Sequence, residues 1–183
     1  HKALEQFLTD VFWDDPDYLI IDLPPGTGDI SISIAQFLPR AEVFVVTTPQ
    51  PAAQRVAQRA AAMAEKVNLQ VRGVIENMSW FTGDDGKRYE IFGSGGGEEL
   101  ASDLGVPLLG TIPLSEELRE HADNGDPLVT AEPDSPAAKA ILETASRIIA
   151  QSPRDLPMIQ ETPAVPPAAP KLGANARELP VLQ

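Results

Sequence analysis

At 183 residues with 43% apolar content, the chain is long enough for one α/β domain with a core and an appendage. A formal charge of −13, from 14 Lys and Arg against 27 Asp and Glu, leaves no basic patch for a phosphodiester backbone, so no nucleic-acid partner is expected. No window approaches the roughly 18 apolar residues of a membrane span, no secretory signal opens the chain, and the lack of cysteine removes disulfides and thiolate-held metals from it; a cytoplasmic protein off the membrane is expected.

The chain opens on HKALEQFL, without an initiator methionine and part-way into a helical pattern, and so reads as a piece of a longer protein. Leu4, Phe7, Leu8 and Val11 form an i, i+3, i+4, i+7 stripe that predicts a helix over 3–12. YLIID (18–22) is a continuous apolar run, as in a strand covered on both faces. DISISIAQFL (29–38) alternates like a strand, but Asp29 suits an N-cap and Pro39 ends the segment; a parallel sheet needs a crossover here, so it is read as a helix.

EVFVVTTP (42–49) predicts a second buried strand, QRVAQRAAAMAEKV (54–67) an alanine-rich helix, QVRGVIENM (70–78) a third strand and PLLGTIPL (107–114) a fourth. Between the last two lies an insert over about 78–97, whose aromatic flanks around Gly83-Asp84-Asp85-Gly86 predict a β-hairpin. Trp80, Phe81, Tyr89 and Phe92 are expected to pack on each other across it. GEELASDLG reads as a short helix, SEELREHADNG (115–125) as a helix capped by Ser115 and stopped by Gly125, and 135–151 as a last amphipathic helix with Pro at its first position. Seven of the 31 residues from 153 to 183 are proline and no apolar period survives, so this tail is expected to be disordered, outside a domain spanning 1–152. Strands alternating with helices predict an α/β fold, an open, mostly parallel sheet flanked by helices.

In such a sheet ligands bind outside the carboxyl ends of the strands. Asp22 closes an apolar run at such an end, where a Walker B acid would hold Mg²⁺ through water. Pro24-Pro25-Gly26-Thr27-Gly28 follows, a turn rigid at its prolines and open at its glycines that suits a backbone aimed at a phosphate. Asp29 would either orient an attacking water or cap its helix. The plain alternative is a strand cap and a tight turn. Asn77, at the end of the third strand, offers the donor and acceptor that read an adenine edge, though asparagine there is often a turn former.

Gly93-Ser94-Gly95-Gly96-Gly97 fails as a phosphate loop. The only Gly-Lys pair, Gly86-Lys87, is followed by Arg88, and Glu98 stands where a dinucleotide fingerprint needs glycine. Glu98 and Glu99 would fill the helix N-terminus, and the run reads as a flexible hinge. His1 and His121 are too few and too far apart in sequence for a metal site, and Asp84-Asp85 lacks the spacing of a calcium loop.

Five stretches, DYLIIDLPPGTGD, VTTPQ, GVIENMS, RYEIFGSGGGEELA and LLGTIPL, occur in this order, and with them residues 1 to about 150 closely resemble the Mrp family of iron–sulfur cluster carriers, within the MinD/ParA-like P-loop ATPases. The resemblance implies a P-loop NTPase fold incomplete at its N-terminus, because the family's Walker A loop and switch I precede the part matched. It implies a homodimer that binds ATP and Mg²⁺ and delivers a [4Fe–4S] cluster to client apoproteins. On the matching positions Asp22 is the Walker B acid. The segment from Pro24 to Asp29, with Pro25, Gly26, Thr27 and Gly28, is the switch that reports the γ-phosphate. Asn77 is the adenine-contacting asparagine, and Pro113 packs against the base.

Many members place C-x-x-C after the aromatic pair to hold the cluster. Here that position reads Thr82-Gly83-Asp84-Asp85-Gly86, and carboxylates are poor substitutes for thiolates. Three readings follow: part of an ATP-hydrolysing cluster carrier, a cluster-free ATPase switch or adaptor with the hairpin as its partner surface, or an inactive scaffold. Without the Walker A loop this stretch alone is not expected to hydrolyse ATP.

Overall fold

The computed structural model describes residues 2–14, 16–23 and 29–152. Helices α1 (Lys2–Thr9) and α2 (Asp29–Phe37) precede strand β1 (Glu42–Thr47), helix α3 (Pro51–Lys66) and strand β2 (Gln70–Glu76). A two-residue ladder, β3 (Phe81–Thr82) with β4 (Arg88–Tyr89), is followed by α4 (Gly96–Leu104), β5 (Leu108–Thr111), α5 (Glu116–Asn124), α6 (Leu128–Ala131) and α7 (Pro136–Gln151). β1, β2 and β5 make a parallel sheet in that order, and β3–β4 is antiparallel, so the expected α/β class with a parallel sheet is observed.

Local chemistry explains most boundaries. Pro51 begins α3, where its missing N–H costs nothing. Ser115 and Ser135 cap α5 and α7 by accepting from Leu118 N–H and Ala138 N–H. α3 is rich in alanine because its buried positions, Ala57, Ala61 and Ala64, recur at i, i+4 and i+7 against the sheet. Ala57 and Ala61 join Val45, Val74, Leu100 and Ala101 in the main core, while Ala64 packs with Ile34 and Leu69. At the amino end of the sheet Arg72 Nε lies 2.9 Å from Glu42 Oε1, Arg72 also donates to the Gln151 carbonyl, and Ser152 Oγ donates to Glu42. These contacts tie the end of α7 to β1 and β2.

Two expectations are corrected. Residues 18–23 form no strand: Ile20 is 92% exposed and only Ile21 and Leu23 pack inward, beside Ile34 and Leu69. An apolar run becomes a buried strand only where ladder partners flank it. β1 is an edge of the described sheet, with Val46 59% exposed, and no described strand bridges the two segments. The aromatic cluster also differs. Phe81 and Tyr89 are ladder partners, but Trp80 carries the Arg88 guanidinium 4.3 Å above its ring, and the ring-on-ring pair among the described residues is Phe7 with Trp13. The short helix α6 was not anticipated; its four residues are too few for a periodic signal. The expected disorder of 153–183 falls outside the described residues.

α7 crosses β5 at Gly110, where a Cβ would overlap the Thr144 side chain. Thr144 is itself buried, its hydroxyl donating to Ala140 O at 2.7 Å, so it has little room to give. Gly110→Ala is therefore expected to lower stability by about 1–3 kcal/mol through overpacking. Urea unfolding checks this, as a lower midpoint with an unchanged slope.

Candidate functional site

The carboxyl edge of the parallel sheet gathers the ends of β1, β2 and β5. Glu76 is the register partner of Thr47 on one side and Thr111 on the other. Pairing continues past the strands: Asn77 N–H donates to Thr47 O at 2.8 Å, Ile112 N–H to Glu76 O at 2.8 Å, and Ser79 N–H to Ile112 O at 3.0 Å. Asn77 and Pro113 thus follow the last paired residues of adjacent strands and lie on one rim. Pro113 is buried and Asn77 is half-buried.

The Asn77 side chain has a defined orientation. Its Oδ1 accepts from Met78 N–H at 2.9 Å, while its Nδ2 donates to nothing among the described residues. Met78 has φ of 56°, a left-handed conformation that a non-glycine residue holds at a cost of about 1–3 kcal/mol. Ser79 Oγ donates to Glu76 O and closes the corner from the far side.

Behind this corner stands a residue that sequence reading passed over. Glu76 is 4% exposed, and its Oε2 accepts from Gly97 N–H at 2.6 Å. It occupies the N-terminus of α4, where the aligned peptide dipoles favour an anion. Glu98 and Glu99 lie in the first turn of α4 as expected, exposed on its outer side, and Glu76 adds a buried acid from the sheet. Gly96 and Gly97 do not belong to a hinge, although Gly93 and Gly95, at φ of 87° and 77°, have open space around them. A Cβ at Gly97 would sit 2.7 Å from Glu76 Cβ, and one at Gly96 would meet the Pro49 carbonyl and the Gln54 amide. Glycine is required here for close approach, and a carboxylate inside an apolar strand was the one available sign.

Asp22 is exposed, beyond the packed Ile21. No cluster of three or more His, Cys, Asp or Glu suited to a metal occurs among the described residues. A single exposed carboxylate fits Mg²⁺, which keeps most of its waters and takes one or two protein carboxylates. Asp29 is the first residue of α2; Pro24, Pro25, Gly26, Thr27 and Gly28 lie outside the described residues. A concavity of about 210 Å³ beside the rim is lined by Trp80, Thr111, Lys139 and Arg147 among others, and Asn77 is not in its wall.

The hairpin tip is closed on itself. Asp85 accepts from Lys87 N–H at 3.0 Å and from Tyr89 Oη at 2.9 Å, with Lys87 Nζ at 3.3 Å, while Gly83 N–H donates to Lys87 O. The Lys87 amide, then the Tyr89 hydroxyl, hold the Asp85 carboxyl below its ordinary value of 3.8. With no thiolate and its second acid engaged in the turn, the tip does not fit an iron–sulfur cluster.

A family model described as ParA, NUBPL iron-transfer P-loop NTPase, matches residues 1–149. The chain is 50% identical over 151 residues to an iron–sulfur cluster carrier protein of Mycobacterium leprae, covering 79% of this chain and 39% of the relative. It is 45% identical to the carrier protein of Saccharolobus solfataricus, covering 81% and 51%. A nucleotide-binding protein of Archaeoglobus fulgidus, solved in complex with ADP, superposes with a TM-score of 0.60 at 36% identity, over 68% of this chain and 51% of that one. The MinD cell division protein of Aquifex aeolicus shares the fold, with a TM-score of 0.58 at 23% identity over 83% and 60%. The chain thus spans between two fifths and a half of the length of these curated relatives.

Because the folded Asp85 carboxyl titrates below its ordinary value, its contribution to the hairpin is complete above the ordinary range and is lost as pH falls through the folded value. Hydrogen exchange at the Lys87 amide is expected to show protection near neutrality that disappears only once the pH falls below the ordinary aspartate range, and that is already absent at pH 7 in Asp85→Ala.

Proposed function

We propose, from the premise that the chain belongs to the ParA/NUBPL family of iron-transfer P-loop NTPases, that it supplies the base-binding rim and the metal-side acid of an ATP-dependent iron–sulfur cluster carrier. The observation that carries this reading is the placement of Asn77 and Pro113 at the ends of adjacent parallel strands, in a chain half-identical to proteins named as carriers. The Archaeoglobus fulgidus relative solved with ADP supports nucleotide as the ligand class.

In this reading Asn77 Nδ2 points a donor at an acceptor on the base edge, because Oδ1 is committed to Met78. Pro113 gives that edge an apolar floor. Asp22 holds Mg²⁺ through water, and the ion, when bound, neutralises charge on the phosphates. Pro25, Gly26, Thr27 and Gly28 serve, as the family resemblance implies, as the switch that reports the γ-phosphate, and Asp29 either orients the attacking water or carries the change into α2. The phosphate cradle comes from the portion of the parent protein outside this chain. The parent works as a cytoplasmic homodimer, with iron–sulfur apoproteins as clients and the cluster as cargo.

One observation favours a second reading. The hairpin tip has no thiolate and Asp85 is spent on its own turn. Either the cargo rests on ligands elsewhere in the parent, or the protein is a cluster-free ATPase switch. Anaerobic reconstitution of the full-length protein with iron and sulfide separates the two. Stoichiometric iron and sulfide support the carrier; none supports the switch.

For the full-length protein, Asp22→Asn is expected to lower ATP hydrolysis about 10- to 100-fold, the equivalent of one charge-assisted contact. Steady-state phosphate release measures it. Unchanged hydrolysis, or no ATP binding by the wild type, sinks the proposal.

A further inference from the structure

We propose that Glu76 is the positioning residue of the base-binding rim: its buried carboxylate pins the N-terminus of α4 to the ends of β1 and β2 and so fixes Asn77 for contact with the base. The inference rests on the nucleotide reading above and deepens it.

Three observations converge on Glu76. It is buried at the last position of β2, and a buried carboxylate persists only where a donor and a favourable field meet it. Gly97 N–H supplies the donor at 2.6 Å and α4 supplies the field. The geometry excludes a side chain at both buried glycines, since Gly97 lies against Glu76 and Gly96 against Pro49 at the end of β1. The helix, the carboxylate and two strand ends are therefore locked as one junction. Asn77 is the next residue along, its backbone bonded to Thr47 and its side chain folded over the left-handed Met78. A strained corner keeps one conformation only when its surroundings over-determine it. Here Glu76 contributes on both levels: its carbonyl receives Ile112 N–H and Ser79 Oγ, and its carboxylate receives Gly97 N–H.

An anion already in place also gives the glycine run a purpose other than phosphate binding. The N-terminus of α4 is filled from within, so Gly96 and Gly97 form a fixed wall behind the base site.

The experiment is a double-mutant cycle in the full-length protein with Glu76→Ala, Glu76→Gln and Asn77→Ala, reading the dissociation constants of ATP and of inorganic tripolyphosphate. Glu76→Ala is expected to weaken ATP about tenfold, the effect of one lost polar contact, and to leave tripolyphosphate unchanged. In the Asn77→Ala background it should have no further effect, because both changes remove the same contact. Glu76→Gln keeps an acceptor but loses the charge. It should weaken ATP about threefold, again only when Asn77 is present, and it carries the test alone if the alanine variant does not fold. Additive losses, or equal weakening of tripolyphosphate, overturn the proposal. If the wild type binds no nucleotide, the functional reading fails first. The Asn77 side-chain amide resonance then decides the positioning role: a shift in Glu76→Gln supports it, and an unmoved signal overturns it.

Discussion

A carboxylate inside a protein is stable only if the interior answers its charge, and in this chain the answer comes from the first turn of a helix. Glu76 projects from the end of β2 onto Gly97 N–H at 2.6 Å. For that contact to exist, α4 must approach the sheet more closely than any residue with a Cβ allows, which fixes glycine at 96 and 97. α4 in turn supplies Leu100 and Ala101, which pack with Val74, Val45, Ala57 and Ala61 to close the main core. The ionic contact and the apolar core therefore share one helix, and neither is independent of the other.

The two ends of the sheet are built differently. At the amino end the side chains of Arg72, Glu42 and Ser152 tie strand to helix, with Arg72 and Glu42 each shared between two contacts. At the carboxyl end the ties are mostly backbone, from Asn77 to Thr47, Ile112 to Glu76 and Ser79 to Ile112. Backbone bonds leave side chains free to face a ligand, the division of labour expected of an α/β protein whose chemistry lies beyond its strand ends. The hairpin leaves from this same edge, its base held by Leu114 N–H on Trp80 O.

Much of the fold was legible because short-range rules decided it. Ser115 and the Ser135-Pro136 pair marked helix starts, and apolar runs alternating with helical patterns indicated the parallel sheet. α3 begins at Pro51, three residues before the start read from its alanine-rich pattern. What was not legible depended on partners distant in sequence. The run at 18–22 has the composition of a buried strand but no described ladder neighbour. Glycines carry the same letter whether they bend freely, as Gly93 and Gly95 can, or are wedged as Gly96 is against Pro49 and Gly97 against Glu76, 21 residues earlier, and only those distant partners distinguish the cases. Arg88 rather than an aromatic ring covers Trp80, a choice that pairing preferences leave open. Of the candidate site, Asn77 was proposed from its own chemistry and Pro113 from the family resemblance, and Glu76 was passed over because an acid ending an apolar run looks like a strand cap.

The central claim is that the rim formed by residues 77–80 and 111–114 holds the base of a nucleotide. Photolabelling the full-length protein with an azido-adenine nucleotide, followed by peptide mapping, tests it directly. The account predicts that label falls within these two stretches and that excess ATP removes it. Label confined to other peptides, or label that ATP does not displace, would contradict it.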